Sequence, residues 1–281
     1  MQIRDGVAVI TGGGSGIGRA LSLELSRRGA SVVVTDVDAD AAARVAEECG
    51  SGASAQGLDV RDAEAFTKVI ASTAEVKGRV DFLFNNAGMG VAGEMFDLSP
   101  AHWERIISVN IGGTVNGIAA AYPLMIRQRS GHIVNTASLA GLGPAPLFAP
   151  YAATKHAVVG LSRSLRLEAE RYGVRVSVLC PGAIETPILN QDNPADLPAV
   201  RTKPDVRRFL TRLSGRPYPV EKMARETLDA VERNIGVIVL PASARLSWRL
   251  GRWAPSLVEK VLRRELARER AAGQGEGAGV G

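Results

Sequence analysis

Tyr151 and Lys155 are the two residues whose types and spacing point most directly to chemistry. They stand four positions apart in a stretch with helical character, so their side chains share one face of a helix. A phenol has an ordinary pKa of about 10, and a neighbouring ammonium lowers that pKa by stabilising the phenolate. A lowering of about 3 units requires roughly 4 kcal/mol and would produce a general acid/base. The alternative is an ordinary amphipathic pair on a surface helix.

Ser138 precedes this pair and ends the apolar run HIVNTAS (132–138). Its hydroxyl can donate a hydrogen bond to a carbonyl oxygen on which negative charge develops. Oxidation of an alcohol also needs a group that accepts the hydroxyl proton as the hydride leaves, and Tyr151 suits that task. The three side chains together indicate proton transfer at an alcohol or carbonyl carbon.

A glycine-rich string, TGGGSGIG (11–18), lies between the apolar run VAVIT and a segment of helical periodicity. Glycines allow the chain to approach a pyrophosphate closely, and the first turn of the helix supplies free N–H groups. The strand-then-helix context is the one that dinucleotide binding requires. The candidate binding residues are Gly12, Ser15, Gly16, Ile17 and Gly18; the alternative is a tight turn needed for packing.

Two aspartates follow the next two predicted strands. Asp36 could accept both ribose hydroxyls of an adenosine and would repel a 2′-phosphate, which favours NAD over NADP. Asp59, followed by Val60, could accept a hydrogen bond from the adenine amine. The alternative for both aspartates is helix capping: Asp36 or Asp38 could cap the helix that follows, and Asp59 could cap a helix that begins near Asp62.

The sequence NNAG (85–88) follows the strand predicted at 80–84. Small residues at a strand end let a cofactor lie across the sheet edge, and asparagine side chains brace the neighbouring backbone. Asn86, Ala87 and Gly88 are therefore candidate cofactor contacts. A simple turn is the alternative, since asparagine and glycine both favour turn conformations.

The element pattern predicts one α/β domain of the Rossmann type, with seven parallel strands and helices on both faces. Apolar runs without period-two alternation are typical of strands buried on both faces. Helical segments separate them, including one long helix from Pro100 to about Arg129 with a bend near the glycines at 112–113 or at Pro123. The predicted catalytic domain covers residues 1–240.

Two regions interrupt this alternation. Residues 187–219 hold several prolines after a strand end, and we predict a substrate lid there. Residues 241–270 form a basic amphipathic extension, for which packing on the domain or on a neighbouring subunit and contact with a membrane surface both remain open. Residues 271–281 are glycine-rich and are predicted to be disordered.

Composition limits the possible functions. The 281 residues carry a net charge of +5, and the 241–270 segment alone accounts for that excess, which argues against nucleic-acid binding. No apolar run is long enough to span a membrane. The two cysteines lack a partner motif and the three histidines lack ligand spacing, so we expect a cytoplasmic protein without a metal site.

These motifs occur together in an order that resembles the short-chain dehydrogenase/reductase family. The resemblance covers about residues 5–240 and rests on TGGGSGIG, Asp59-Val60, NNAG, Ser138 with Tyr151 and Lys155, and Pro181-Gly182-Ala-Ile-Glu-Thr186. It implies a nicotinamide cofactor and hydride transfer to or from a carbonyl or alcohol carbon. It also implies a homodimer or homotetramer built partly from the 151–172 helix.

The resemblance assigns a role to each matching position. Tyr151 resembles the general acid/base, and Ser138 resembles the residue that hydrogen-bonds the substrate oxygen. Lys155 resembles the residue that binds the nicotinamide ribose, and Asn110 matches the residue that helps to hold a proton-relay water. The remaining matches contact the nicotinamide end of the cofactor, through Pro181, Gly182, Ile184 and Thr186.

The substrate is less determined. Its wall is expected from 89–91, 139–148 and 187–219, which are mostly apolar and include Leu142, Leu147, Phe148, Ile188, Leu189 and Tyr218. This composition favours an apolar secondary alcohol or ketone of a steroid-, retinoid- or acyl-like kind. Arg201, Arg207 and Arg208 could instead clamp a carboxylate. Two other functions remain open: a non-catalytic dinucleotide-binding sensor or scaffold, and an epimerase or dehydratase on the same scaffold.

Overall fold

A seven-stranded parallel sheet forms the centre of the protein in the computed structural model, which describes residues 1–190 and 192–277 with the side chains of 273–277 excepted. The strand order is β3-β2-β1-β4-β5-β6-β7. The strands are β1 Val7–Thr11, β2 Ser31–Asp36, β3 Ser54–Gly57, β4 Phe82–Asn85, β5 Gly131–Thr136, β6 Val174–Pro181 and β7 Val237–Leu240. The predicted fold class is confirmed.

Helices cover both faces of the sheet. They are α1 Gly16–Arg27, α2 Ala39–Cys49, α3 Ala63–Lys77, α4 Pro100–Ile107, α5 Gly113–Gln128, α6 Ala149–Ala169, α7 Val206–Ser214, α8 Val220–Glu232, α9 Ala242–Trp253 and α10 Pro255–Gly277. One core contains side chains of α1, α2 and α8, and a second core contains side chains of α3, α5 and α6. Burial on both faces explains why the strands are apolar throughout.

The sheet reverses its winding direction between β1 and β4, which are neighbours although they are far apart in sequence. Parallel strands all end at the same edge of a sheet, and ligands of doubly wound folds bind at that edge where the order reverses. The loops after β1, β4 and β5 meet there, and they carry the glycine string, NNAG and Ser138. The fold therefore gathers the predicted motifs at one edge.

The segment predicted as one long helix from Pro100 to about Arg129 is helical without a break from Pro100 to Gln128, and its irregularity lies next to the glycines at 112–113 as expected. α4 is followed by a π-helical turn, Ser108–Gly112, and then by α5, which retains Pro123. Single π-helical turns inside helices are frequent at functional sites. This turn contains Asn110, which is buried.

Two helices follow the last strand. α9 packs against β7, and α10 packs against both α9 and α7. α10 runs through the first part of the 271–281 stretch predicted to be disordered, and residues 278–281 of that stretch lie outside the described residues. Across the described chain, no helix combines the length and the apolar character that crossing a bilayer demands.

Candidate active site

The glycine string forms a tight turn from β1 into α1. Gly12 has a positive φ of 61°, and a Cβ atom there would lie 2.8 Å from Cα of Ala87. A Cβ atom on Gly18 would lie 2.0 Å from the carbonyl oxygen of Gly12, so no larger residue fits without movement of the backbone. α1 begins at Gly16 and directs its N-terminus at the cavity, which suits a pyrophosphate.

Asp36 lies beside this turn at the end of β2. Its Oδ2 accepts a hydrogen bond of 2.9 Å from the Gly14 amide, and its Oδ1 accepts one of 3.1 Å from the Asp38 amide. The cap of α2 is Asp38, whose carboxylate accepts from the Ala41 amide. Asp36 is thus held by the loop and does not cap the helix, which leaves it facing the cavity.

Asp59 is likewise not a helix cap, because Asp62 caps α3. Asp59 forms an ion pair with Arg61, and that guanidinium lowers the pKa of the carboxyl below its ordinary value. Both residues line the cavity with Val60. Arg61 was not among the predicted site residues; the only sequence signal was its position two residues after Asp59.

The NNAG turn is braced as predicted. The Asn86 side chain donates to the carbonyl oxygens of Thr11 and Gly12 at 3.1 and 3.2 Å. The amides of Asn86 and Ala87 both donate to the Thr11 hydroxyl at 3.0 Å. Thr11, which sequence reasoning left out of the site, is therefore the residue that ties the glycine string to this second turn.

Ser138, Tyr151 and Lys155 lie together on one wall of the cavity. The Lys155 ammonium is 5.5 Å from the centre of the Tyr151 ring and donates to the Thr136 carbonyl oxygen at 3.0 Å. The Lys155 side chain is buried, whereas Tyr151 and Ser138 are half-buried and open on the cavity. A close approach at Gly141, where a Cβ atom would lie 2.5 Å from the Lys155 carbonyl oxygen, brings the serine segment against α6.

The pKa values in this group differ from the expectation. Burial raises the pKa of Tyr151 above its ordinary value, and a side-chain hydrogen bond with Ser138 offsets part of that rise. Burial also lowers the pKa of Lys155 to about 8. The predicted lowering of the tyrosine pKa is therefore wrong for this structure, because desolvation of the phenolate exceeds its stabilisation by neighbours.

Asn110 lies behind this wall. Its Oδ1 accepts from the Met89 amide at 2.9 Å, and its Nδ2 donates to the Met89 carbonyl oxygen at 3.1 Å and to the Thr154 hydroxyl at 3.0 Å. A Cβ atom on Gly88 would lie 3.2 Å from both Asn110 Oδ1 and the Lys155 ammonium. Asn110 thus joins the NNAG turn to α6, and its role with a relay water stays a prediction.

The segment after β6 completes the cavity. Pro181, Gly182, Ile184 and Thr186 all line it, and Thr186 packs over Gly16 of the glycine turn. The Thr186 hydroxyl donates to the Ile184 carbonyl oxygen at 3.2 Å. The segment predicted to contact the nicotinamide therefore lies next to the glycine turn in the same cavity.

The cavity has a volume of about 2120 Å³, larger than the roughly 300–1,000 Å³ of a drug-sized pocket. It is lined by every predicted site residue except Gly18 and Asn110, which lie behind its wall. Among the predicted substrate residues, Leu142, Phe148, Ile188, Leu189 and Tyr218 line it. Leu147 does not; it is buried and has a positive φ of 68°.

The three arginines considered as a carboxylate clamp are engaged elsewhere. Arg207 pairs with Glu185, Arg208 pairs with Glu269, and Arg201 lies 3.7 Å from Asp97. Apolar side chains of α7 and α9, including Phe209, Leu210 and Trp248, line the cavity instead. The contribution of α9 was missed because its apolar stripe lies about a hundred residues from Tyr151 and Lys155.

A doubly wound fold with a glycine turn at the reversal point and a serine, tyrosine and lysine on one wall defines a dinucleotide-dependent oxidoreductase class. Residues 6–197 match the model of the short chain dehydrogenase family, and the chain belongs to that family.

Relatives and solved structures agree. A (2S)-[(R)-hydroxy(phenyl)methyl]succinyl-CoA dehydrogenase subunit, BbsD, from Thauera aromatica is 39% identical over 68% of this chain and 78% of its own. The probable oxidoreductase EphD of Mycobacterium tuberculosis is 33% identical over 92% of this chain, which spans 45% of EphD. A short chain dehydrogenase/reductase from Burkholderia phymatum, crystallised with NAD, has a TM-score of 0.83 and 31% identity, covering 92% of this chain and 96% of its own.

Proposed function

We propose that this protein is an NAD-dependent oxidoreductase that transfers a hydride between the cofactor and a secondary alcohol or ketone. The observation that carries the proposal is the convergence of Ser138, Tyr151 and Lys155 on the cavity that also holds the glycine turn and Asp36. The residues fit a dinucleotide: the α1 N-terminus suits a pyrophosphate, and the glycines leave room for it. When bound, the nicotinamide supplies or accepts the hydride.

Tyr151 handles the proton in this proposal. Its raised pKa keeps the phenol protonated at neutral pH, so in carbonyl reduction it donates its proton to the substrate oxygen. The Ser138 hydroxyl donates a hydrogen bond to the same oxygen as negative charge develops on it. Lys155, protonated below a pKa of about 8, stabilises the resulting phenolate at close range.

The preference for NAD over NADP rests on Asp36. Its carboxylate is fixed by the Gly14 amide at the place where the adenosine ribose would end. A ribose with both hydroxyls free can donate to this carboxylate, whereas a 2′-phosphate would be repelled by it. The next residue, Val37, is exposed and offers no positive charge to offset that repulsion.

The substrate we propose is apolar, of a steroid-, retinoid- or acyl-like kind. Its end of the cavity is lined by Leu142, Phe148, Leu189, Phe209 and Leu213. Contact with such a wall removes apolar surface of the substrate from water, which stabilises the complex by about 25 cal/mol per Å².

Assembly and compartment are part of the proposal. We expect a homodimer or homotetramer formed partly by α6, on which Leu167 is 75% exposed. Both cysteines are free, which supports a reducing cytoplasm. Light scattering after size-exclusion chromatography tests the assembly, and a monomer at micromolar concentration would contradict it.

Replacement of the proposed acid, Tyr151→Phe, tests the function. Turnover of lipophilic ketones, followed by NADH absorbance, should fall roughly 100- to 10,000-fold, while NADH binding changes little. Tyr172→Phe, which changes a tyrosine in the short 3₁₀ turn after the same helix, is the matched control and should keep full activity.

Three outcomes would count against the proposal. Activity within a few fold of the original in the Tyr151→Phe variant would remove Tyr151 as the acid/base. NADH binding without turnover of any alcohol or ketone would favour a non-catalytic sensor or scaffold. Conversion of a substrate without net change in NADH would favour an epimerase or dehydratase.

A further inference from the structure

The helices α9 and α10 each present two different faces. Ala244 and Trp248 of α9 pack inward on a core cluster with β6 and β7. On α10, Glu265 and Glu269 are buried. The extension therefore contacts its own domain through the inner faces of α9 and α10.

The outer face of α9 is apolar. Leu246, Leu250 and Trp253 recur at helical spacing and are 59%, 47% and 89% exposed. On α10, Leu257 and Val261 are one turn apart and are 55% and 45% exposed. We call these five residues and the cations among them the outer face.

The cations of the outer face are Arg249, Arg252, Lys260 and Arg264. Among the side chains that the structure describes, no carboxylate forms an ion pair with any of the four, and all four are exposed. Their neighbours behave differently, since Arg263 pairs with Glu259 and Arg270 pairs with Glu94. Glu259, Glu265 and Glu269 of α10 thus pair with other arginines, and no described carboxylate pairs with the four cations of the outer face.

We propose that the outer face of α9 and α10 docks on an anionic phospholipid bilayer. Leucine, valine and tryptophan side chains interspersed with lysine and arginine suit the boundary between headgroups and acyl chains. Each cation near an anionic membrane strengthens binding about fivefold. A second copy of this chain fits poorly, because a symmetric contact would place the four unpaired cations against the same four.

The position of the outer face adds a consequence that rests on the proposed function. Leu246, Leu250, Leu257 and Val261 also line the cavity that Tyr151 lines. Docking through these residues would bring this side of the cavity against the bilayer, so an apolar substrate dissolved in the membrane could enter the cavity there. The docking itself requires neither cofactor nor turnover.

Vesicle sedimentation of the full-length protein tests the docking. Wild-type protein should sediment with phosphatidylcholine vesicles that contain phosphatidylglycerol, and only weakly with phosphatidylcholine alone. Arg249→Gln with Arg252→Gln should weaken binding roughly 30-fold, and raised salt should weaken wild-type binding in the same direction. Leu250→Ser with Trp253→Ser should abolish sedimentation.

Matched variants on exposed sites elsewhere serve as controls. Arg44→Gln with Lys77→Gln removes the same charge from α2 and α3, and Val76→Ser removes a 77% exposed apolar side chain. Both should bind vesicles like the wild type. The proposal is overturned if phosphatidylglycerol does not increase sedimentation of the wild-type protein, or if the control and outer-face variants lose vesicle binding equally. It is also overturned if the protein does not bind vesicles and Trp253→Ser converts a dimer to a monomer, since the outer face would then be a subunit contact. None of these readouts depends on catalysis, so failure here leaves the proposed function standing.

Discussion

Lys155 is a charged side chain placed in a buried position, and this shapes its chemistry. Its side chain is 4% exposed, and its ammonium donates to one carbonyl oxygen, that of Thr136. Desolvation disfavours the charged form, which lowers the pKa from 10.5 to about 8. With a pKa of about 8, Lys155 is mainly protonated at neutral pH and loses its charge as the pH rises above 8.

Stability should therefore depend on pH through this residue. Between pH 8 and 10.5 the unfolded chain keeps the lysine proton while the folded chain releases it, so the free energy of unfolding rises with pH. The rise over this window should be about 3 kcal/mol relative to Lys155→Met, which lacks the group. Urea denaturation of both proteins across the window measures it. If the free energy of unfolding changed with pH equally in the wild type and in Lys155→Met, the pKa of Lys155 would not be lowered by folding.

At the scale of elements, α1 packs closely against the NNAG turn because Gly18 has no side chain. Gly18 has room for hydrogen only, because a Cβ atom would lie 2.0 Å from the Gly12 carbonyl oxygen and 2.7 Å from Asn86 Nδ2. Those two groups hydrogen-bond to each other at 3.2 Å. The shape of the cofactor turn thus depends on one helical glycine that does not itself line the cavity.

Gly18→Ala should consequently destabilise the protein by about 1–3 kcal/mol and greatly weaken NADH binding. Gly251→Ala is the matched control, since it is also a helical glycine and its nearest neighbour would be 4.0 Å away, at ordinary contact distance. The control should leave stability unchanged or raise it by up to about 1 kcal/mol. Thermal unfolding and NADH fluorescence titration compare the two; unchanged NADH affinity in Gly18→Ala would refute the close approach.

A second element-scale contact joins α10 to α7. Glu269 is buried and accepts from the Asp205 amide at 3.0 Å, from Arg208 at 2.7 Å and from Arg212 at 3.3 Å. Asp205 in turn caps α7, which lines the cavity through Phe209 and Leu213. The C-terminal helix therefore fixes the helix that forms part of the predicted lid segment.

Glu269→Gln should loosen α7 because it removes the charge that two arginines share. Breaking a buried pair of this kind costs about 3–5 kcal/mol, and we expect KM for the substrate to rise roughly tenfold or more. The NADH dissociation constant should change much less, because the groups that Glu269 holds belong to α7 and its cap and not to the glycine turn. Glu259→Gln, which removes an exposed carboxylate on the same helix, should alter neither constant. Equal effects of both substitutions would contradict the role of Glu269.

At the scale of the whole molecule, one continuous parallel sheet supports both halves of the site. The glycine turn follows β1, Asp36 ends β2, and Ser138 follows β5. A ligand bridging these loops joins the ends of strands that form a single hydrogen-bonded ladder. Cofactor binding should consequently stabilise the whole domain.

Thermal unfolding with each cofactor measures this coupling. At a hundred times its dissociation constant, NAD should add about 2.7 kcal/mol to the free energy of unfolding, which raises Tm by about 5–10 °C. NADP at the same concentration should raise Tm much less, because its 2′-phosphate would face Asp36. Asp36→Asn should reduce the difference between the Tm increases that NAD and NADP produce. A larger shift with NADP in the original protein would reverse the proposed preference.

The sequence by itself determined the order of elements and the positions of the motifs. Strand runs, helix spacing and glycine turns are local signals, so they predicted the doubly wound sheet and located Gly12, Asp36, Asn86 and Tyr151 correctly at strand ends or helix starts. The same local signals could not say which aspartate caps a helix. Capping depends on backbone geometry, and the structure assigns it to Asp38 and Asp62.

Only the tertiary structure decided the features that depend on distant contacts. Burial among elements far apart in sequence sets the direction of the Tyr151 pKa, opposite to the expectation from its lysine neighbour alone. Arg207 and Arg208, which the sequence suggested as a clamp for a substrate carboxylate, form ion pairs with Glu185 and Glu269. The placement of α9 beside the cavity arises in the same way, because desolvation and packing act between groups that become neighbours only once the chain has folded.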